Sequence, residues 1–118
     1  MMYQKNTIFR LSKSFALRAI KLYKYLIEEK HEYIMAKQVY RSGTSIGANI
    51  AESRNAQSKA DFINKLSIAL KEADETMYWL ELLHESENID DKQFESMAND
   101  LNVIIGTLIR IIKKLRNG

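Results

Sequence analysis

The chain of 118 residues has no cysteine, no proline and only four glycines. The lack of cysteine excludes a disulfide framework and any thiolate metal site, and it is compatible with a reducing cytoplasm. The lack of proline, with glycine so scarce, leaves few helix breakers in a sequence where Leu, Ile, Ala, Lys and Glu abound. No apolar run approaches the roughly 18 residues needed to span a bilayer. The opening Met-Met-Tyr-Gln-Lys-Asn lacks the apolar stretch of a secretory leader. The expectation is a soluble, cytoplasmic, all-α protein. Its length suits one core but not two, so residues 1–118 are expected to form a single domain.

The formal net charge is only +3, but its distribution is uneven. Residues 1–27 hold Lys5, Arg10, Lys13, Arg18, Lys21 and Lys24 without one acidic residue. The tail after Asp100 holds Arg110, Lys113, Lys114 and Arg116, again unopposed, whereas the segment from Glu72 to Glu95 is strongly acidic. Where the fold places these blocks then decides what they can meet.

Apolar periodicity and capping signals predict four helices, over about 7–29, 36–55, 59–85 and 91–116. In the first, Ile8, Leu11, Phe15, Ala19, Leu22 and Leu26 recur at three- and four-residue spacing. Arg10, Lys13, Lys21 and Lys24 fall on the opposite face, either a solvated surface or a track for phosphates. In the second, Val39, Gly43, Ile46 and Ile50 form an inner stripe beside a polar one of Ser42, Ser45, Asn49 and Glu52. That polar stripe reads as interhelical hydrogen bonds or subunit contacts, with a ligand site as the alternative. Ser58 is a good N-cap for the third helix, with Asp61 three residues on. Its expected inner stripe is Ile63, Leu66, Leu70, Ala73, Met77 and Leu80. Ile68, Trp79 and Leu82 project off that stripe, which marks them as candidate oligomer-interface residues. The fourth helix opens on a capping box of Asp90 and Gln93, with Ile89 placed to staple onto Phe94.

Four helices joined by short links imply an antiparallel up-down-up-down four-helix bundle. That topology gathers Arg10, Lys13, Arg54, Lys59, Lys65, Arg110, Lys113, Lys114 and Arg116 at one pole. Glu28, Glu29, Glu32, Glu75, Glu81, Glu85, Glu87, Asp90 and Asp91 collect at the other. The molecule is predicted to be electrically polar along its bundle axis.

Catalytic and metal-binding patterns are sparse. Glu28…His31 and Glu81…His84 have the Glu-x-x-His spacing of di-metal carboxylate bundles. His31 falls in a turn, however, and the second and fourth helices offer no inward Glu at that pole, so no metal or cofactor is expected. Ser42 and Ser45 have no His or Lys nearby in sequence to activate them. No catalytic residue is assigned and no enzymatic activity is expected.

The most distinctive stretch is Arg41-Ser-Gly-Thr-Ser-Ile-Gly-Ala-Asn-Ile-Ala-Glu52. Gly43 and Gly47, Ser45 and Asn49, and Ile46 and Ile50 each stand four apart, and each pair shares a helical face. Glycine within a helix costs about 1 kcal/mol relative to alanine, so close approach of a neighbouring helix must offset it. The stretch is therefore expected to form the close-packed seam of the bundle and of any oligomer it builds.

This stretch, with Ser58-Lys-Ala-Asp-Phe-Ile-Asn-Lys-Leu-Ser-Ile-Ala-Leu-Lys-Glu-Ala-Asp-Glu-Thr76, Tyr78-Trp-Leu80, Lys13-Ser-Phe15 and Gln38, resembles the 23S rRNA intervening-sequence proteins over roughly residues 7–112. The resemblance implies an antiparallel four-helix bundle and a homopentameric ring. It carries over no catalytic residue; Ser45, Asn49 and Glu52 match the motif as signature positions only. A related bundle, the accessory protein of diversity-generating retroelements, is a pentamer that binds nucleic acid and a reverse transcriptase. Together these readings predict a non-enzymatic homo-oligomer that contacts RNA or DNA through Arg10, Lys13, Lys21, Lys24, Arg54, Lys59, Arg110, Lys113, Lys114 and Arg116. The alternative is a structural or adaptor protein with a protein partner.

Overall fold

The computed structural model describes residues 2–118, with side chains from residue 7 onward, so the side chain of Lys5 lies outside the described residues. Four helices follow in order: α1 (Met2–Glu28), α2 (Ile34–Ser53), α3 (Lys59–Glu85) and α4 (Asp91–Asn117). The links are short, so successive helices run antiparallel. Close backbone approaches join α1 to α2 and α4, and α3 to α2 and α4, but not the two diagonal pairs among the described residues. This is the square cross-section of a four-helix bundle, drawn out to 46 Å along its axis. No described helix is long and apolar enough to cross a membrane.

Local chemistry explains most of the helix ends. Ser58 accepts the Asp61 backbone N–H at 3.0 Å, while the Asp61 carboxylate reaches back to Gln57 N–H at 3.2 Å. At α4 both halves of the capping box form: Gln93 N–H donates to Asp90 Oδ1 at 2.7 Å and Asp90 N–H to Gln93 Oε1 at 2.9 Å. Helix α2 starts two residues earlier than the periodicity predicts. Glu32 supplies the reason, since its Oε1 accepts from Met35 N–H and Ala36 N–H at 2.7 and 3.2 Å. The same helix regular-turn bonding stops at Ser53, because Arg54, Asn55 and Ala56 bond three residues back instead of four. Helices α1 and α3 are followed by left-handed residues that are not glycine, His31 (φ 54°) and Glu87 (φ 64°). After Glu87, Asn88 N–H closes a bond to the Leu83 carbonyl at 2.8 Å, the long bond of a Schellman-type stop.

The core runs the length of the bundle through Ile8, Phe15, Leu22 and Leu26, Val39, Ile46 and Ile50, and Leu101, Ile104 and Leu108. Helix α3 is rotated relative to the expected stripe. Leu66, Ala69, Ala73, Thr76, Leu80 and Leu83 are buried, while Ile63, Leu70 and Met77 are only half-buried against the core. The chain carries apolar residues on several sides of this helix, so their spacing alone does not fix its phase. Small residues decide it: Ala69, Ala73 and Thr76 let α2 come close, and buried Thr76 finds a partner there, with its Oγ1 2.9 Å from Ser42 Oγ.

The glycine seam is asymmetric. An ideal Cβ on Gly43 would stand 2.9 Å from Ala19 Cβ, closer than side-chain carbons approach, so α1 and α2 meet most tightly there. A Cβ on Gly47 would meet Ser12 at ordinary contact distance, 3.4 Å from its carbonyl oxygen and 3.5 Å from its Oγ. The seam expected across both glycines is therefore tight at Gly43 and merely snug at Gly47. On the other side of α1, Arg18 joins it to α4: it pairs with Asp100 and donates to the Ser96 carbonyl at 3.2 Å and Ser96 Oγ at 2.7 Å.

Candidate nucleic-acid interface

Antiparallel packing brings the start of α1, the end of α2, the start of α3 and the end of α4 to one pole. Ile8 and Phe9, Ile50 and Ser53, Lys59 and Phe62, and Ile111 and Lys114 surround one cavity there. On one flank Arg10, Lys13 and Arg54 edge a groove between α1 and α2 whose floor includes Ser12, Gly47, Ala48 and Ala51. The Arg54 guanidinium lies 4.2 Å from the centre of the Phe9 ring, a cation–π contact that holds it at the groove's edge. On the opposite flank Lys113 and Arg116 border a recess with Leu70 and Ile109. Arg110 turns toward its own helix, its Nη2 donating to Thr107 Oγ1 at 3.3 Å.

Pairing divides the basic residues into two groups. Arg10, Lys13, Arg54, Lys59, Arg110, Lys113, Lys114 and Arg116 are all exposed, and none forms an ion pair among the described residues. Lys65, expected in the same cluster, is instead tied to Glu52 at 3.2 Å. Arg41 pairs with Glu72 at 3.3 Å and, more closely, with Glu75. Lys21 and Lys24 are exposed and free of ion pairs too, but they do not join the pole. At about 1.5 Å per helical residue, Lys21 is roughly 12 Å further along α1 than Lys13.

The polar stripe of α2 also separates into parts. Ser42 is buried and meets Thr76 across the helix interface, while Ser42 Oγ is 3.0 Å from the Gln38 carbonyl. Ser45 donates to the Arg41 carbonyl at 2.7 Å and Asn49 to the Ser45 carbonyl at 2.9 Å, so both bond back to their own helix. Glu52 is exposed and spends its charge on Lys65 of α3. Of the apolar signature residues, Ile46 and Ile50 are core.

Ile68, Trp79 and Leu82, the residues expected to project off the α3 stripe, are half-buried. Trp79 packs against the core and its Nε1 donates to Glu75 Oε2 at 2.9 Å, joining the carboxylate that Arg41 holds. Large apolar side chains exposed on the helices include Ile34 at the start of α2 and Tyr78 on α3, and Leu17 on α1 with Val103 and Ile109 on α4, the last three at 58%, 52% and 47%. Sequence periodicity places Leu17 and Val103 opposite the core stripes of their helices and Ile109 to one side of its own.

At the acidic pole His84 stacks on Phe94 with ring centres 4.5 Å apart, and its Nε2 lies 2.6 Å from Asp91 Oδ1. His31 is exposed in the α1–α2 turn, its Nδ1 3.4 Å from the Tyr33 hydroxyl. Among the described residues no three His, Asp or Glu side chains cluster as a metal site would require.

The fold and this charge arrangement define an all-α bundle with a cationic end. The model of the 23S rRNA-intervening sequence protein family matches residues 4–110, and the chain belongs to that family. It is similar to a protein of unknown function from the S23 ribosomal protein family of Bacteroides thetaiotaomicron, known from a crystal structure. The two share 56% identity over 93% of this chain and 98% of that one, with a TM-score of 0.92. No curated protein matches the chain.

Proposed function

We propose that this protein is a non-enzymatic, cytoplasmic, homo-oligomeric binding protein whose basic pole contacts the phosphate backbone of RNA. The observation that carries this reading is the gathering at one pole of eight exposed cations without ion-pair partners among the described residues. Cations left free and clustered have the electrostatic footprint of a phosphate-binding surface. Assembly strengthens it. The exposed Leu17, Val103 and Ile109 supply apolar contact for a second copy, and a Cβ built on Gly106, between the latter two, would meet only the Arg110 side chain, at 3.5 Å. In the ring of five that the family resemblance implies, each pole repeats, and multivalency can raise avidity about 10²–10⁴-fold.

The test is ultraviolet crosslinking of the protein in its native host, followed by sequencing of the attached nucleic acid and mapping of the crosslinked peptides. RNA attached to peptides holding Arg10, Lys13, Arg54 or Lys113 is the expected result. No nucleic acid, beside a reproducible protein partner, would favour an adaptor role instead.

A further inference from the structure

The cavity enclosed by the four helix ends has a construction that phosphate binding does not need. Its floor is Ile8, Ile50 and Leu66, all nearly inaccessible to solvent, and its walls include half-buried Phe62, Ile111 and Leu115. The one neutral polar side chain in the lining, Ser53, is already bonded, its Oγ donating to the Ile50 carbonyl at 2.6 Å. At the rim stand Lys59 and Lys114, exposed and without an ion pair among the described residues; Gly118 completes the lining with its main chain, and no acidic side chain is among the described residues there. Lys59 is also the first residue of α3, where a positive charge opposes the helix dipole, so its placement does not serve that helix.

We infer that this cavity binds a small amphipathic carboxylate, its apolar body on the Ile8–Ile50–Leu66 floor and its anionic head at Lys59 and Lys114. Size limits the ligand. The cavity volume is about 220 Å³, against the roughly 150 Å³ of an apolar cavity that accepts benzene and the roughly 300–1,000 Å³ of drug-sized sites. One aromatic ring on a short linker, or a short acyl chain, fits that range; a long-chain lipid does not. Charge complementarity selects the head group: two ammonium groups favour an anion over an alcohol of the same shape.

The probe is 3-phenylpropionate, with 3-phenylpropanol as its neutral counterpart, titrated without RNA and followed by methyl NMR, so the outcome is independent of the nucleic-acid reading. Expected are saturable shifts confined to the methyls of Ile8, Ile50, Leu66 and Ile111, with the acid bound about five- to tenfold more tightly than the alcohol. A Lys59→Ala/Lys114→Ala double variant, altered only at exposed positions, should bind acid and alcohol alike. Leu115→Trp, which fills the cavity from its half-buried wall, should lose both. Absence of saturation, shifts scattered over the surface, equal affinity for acid and alcohol in the unaltered protein, or undiminished binding after Leu115→Trp would each overturn the inference.

Discussion

The two ends of the bundle use charge differently. At the acidic end part of it builds the fold: Glu32 opens α2, Asp90 opens α4 with Gln93, and Asp91 pairs with His84, while Glu28, Glu29, Glu81, Glu85 and Glu87 form no ion pair among the described residues. Each carboxylate there that sits at a helix start also complements the helix dipole. At the basic end Lys65 is committed in this way, to Glu52, whereas Arg10, Lys13, Lys59, Lys113 and Lys114 contribute no ion pair among the described residues. Unpaired charge of one sign, gathered at one end, is charge available to a partner of the opposite sign. The contrast therefore says where binding is to be sought, and it predicts that stability and binding respond to different mutations.

The largest expected effect is on binding. Replacing Arg10, Lys13, Lys113 and Lys114 together by Glu should weaken affinity for single-stranded RNA by at least ~100-fold, because four phosphate contacts become repulsive. The same variant should melt within a few degrees of the original protein, since none of the four is paired. Fluorescence anisotropy and circular dichroism read the two outcomes separately. The mirror-image variant, Glu81→Lys/Glu85→Lys, should leave RNA affinity undiminished; a comparable loss there would erase the distinction between the poles.

Between the poles, the α1–α2 seam should be sensitive at one glycine and tolerant at the other. Gly43→Ala forces Ala19 aside and is expected to cost about 1–3 kcal/mol, the usual range for overpacking, measured by denaturant unfolding. Gly47→Ala meets only ordinary contacts and should be neutral or stabilising by up to about 1 kcal/mol from helix propensity. Gly47→Leu, whose longer side chain must run into the Ser12 backbone, should destabilise.

At the acidic end Asp90→Ala removes one half of a capping box and should cost about 1 kcal/mol, with RNA affinity changed less than twofold. The smallest effect sharpens the comparison within the basic end itself. Lys65→Ala breaks an exposed pair with Glu52 and should cost no more than about 0.5 kcal/mol. Its effect on RNA affinity should be smaller than that of Lys113→Ala, because its charge is already countered.

Much of this was legible in the sequence because it is local. Four helices, the Ser58–Asp61 and Asp90–Gln93 caps and the apolar stripes of α1 and α2 depend on residues within one or two turns of each other. What was not legible depends on the third dimension. Helix α3 has apolar residues on several sides, and only the Ser42–Thr76 contact and the small Ala69 and Ala73 show which side faces inward. The stops at His31 and Glu87 carry no glycine to announce them. Gly43 and Gly47 look equivalent on one helical face, yet their difference lies in what α1 places opposite, Ala19 Cβ or the Ser12 backbone. For the candidate interface, topology alone predicted the cluster of cations. It could not predict that Lys65 is countered, or that Ile68, Trp79 and Leu82 are half-buried.

The most direct test of the central claim, that the free charge of the basic pole is a phosphate-binding surface, is the salt dependence of RNA affinity. If Arg10, Lys13, Lys113 and Lys114 each neutralise one phosphate, the logarithm of the affinity should fall against the logarithm of salt with a slope of about −3, roughly a 50-fold loss between 50 and 200 mM. The four-residue charge reversal should remove that slope. Salt-insensitive binding, or a slope that survives the reversal, would contradict the account.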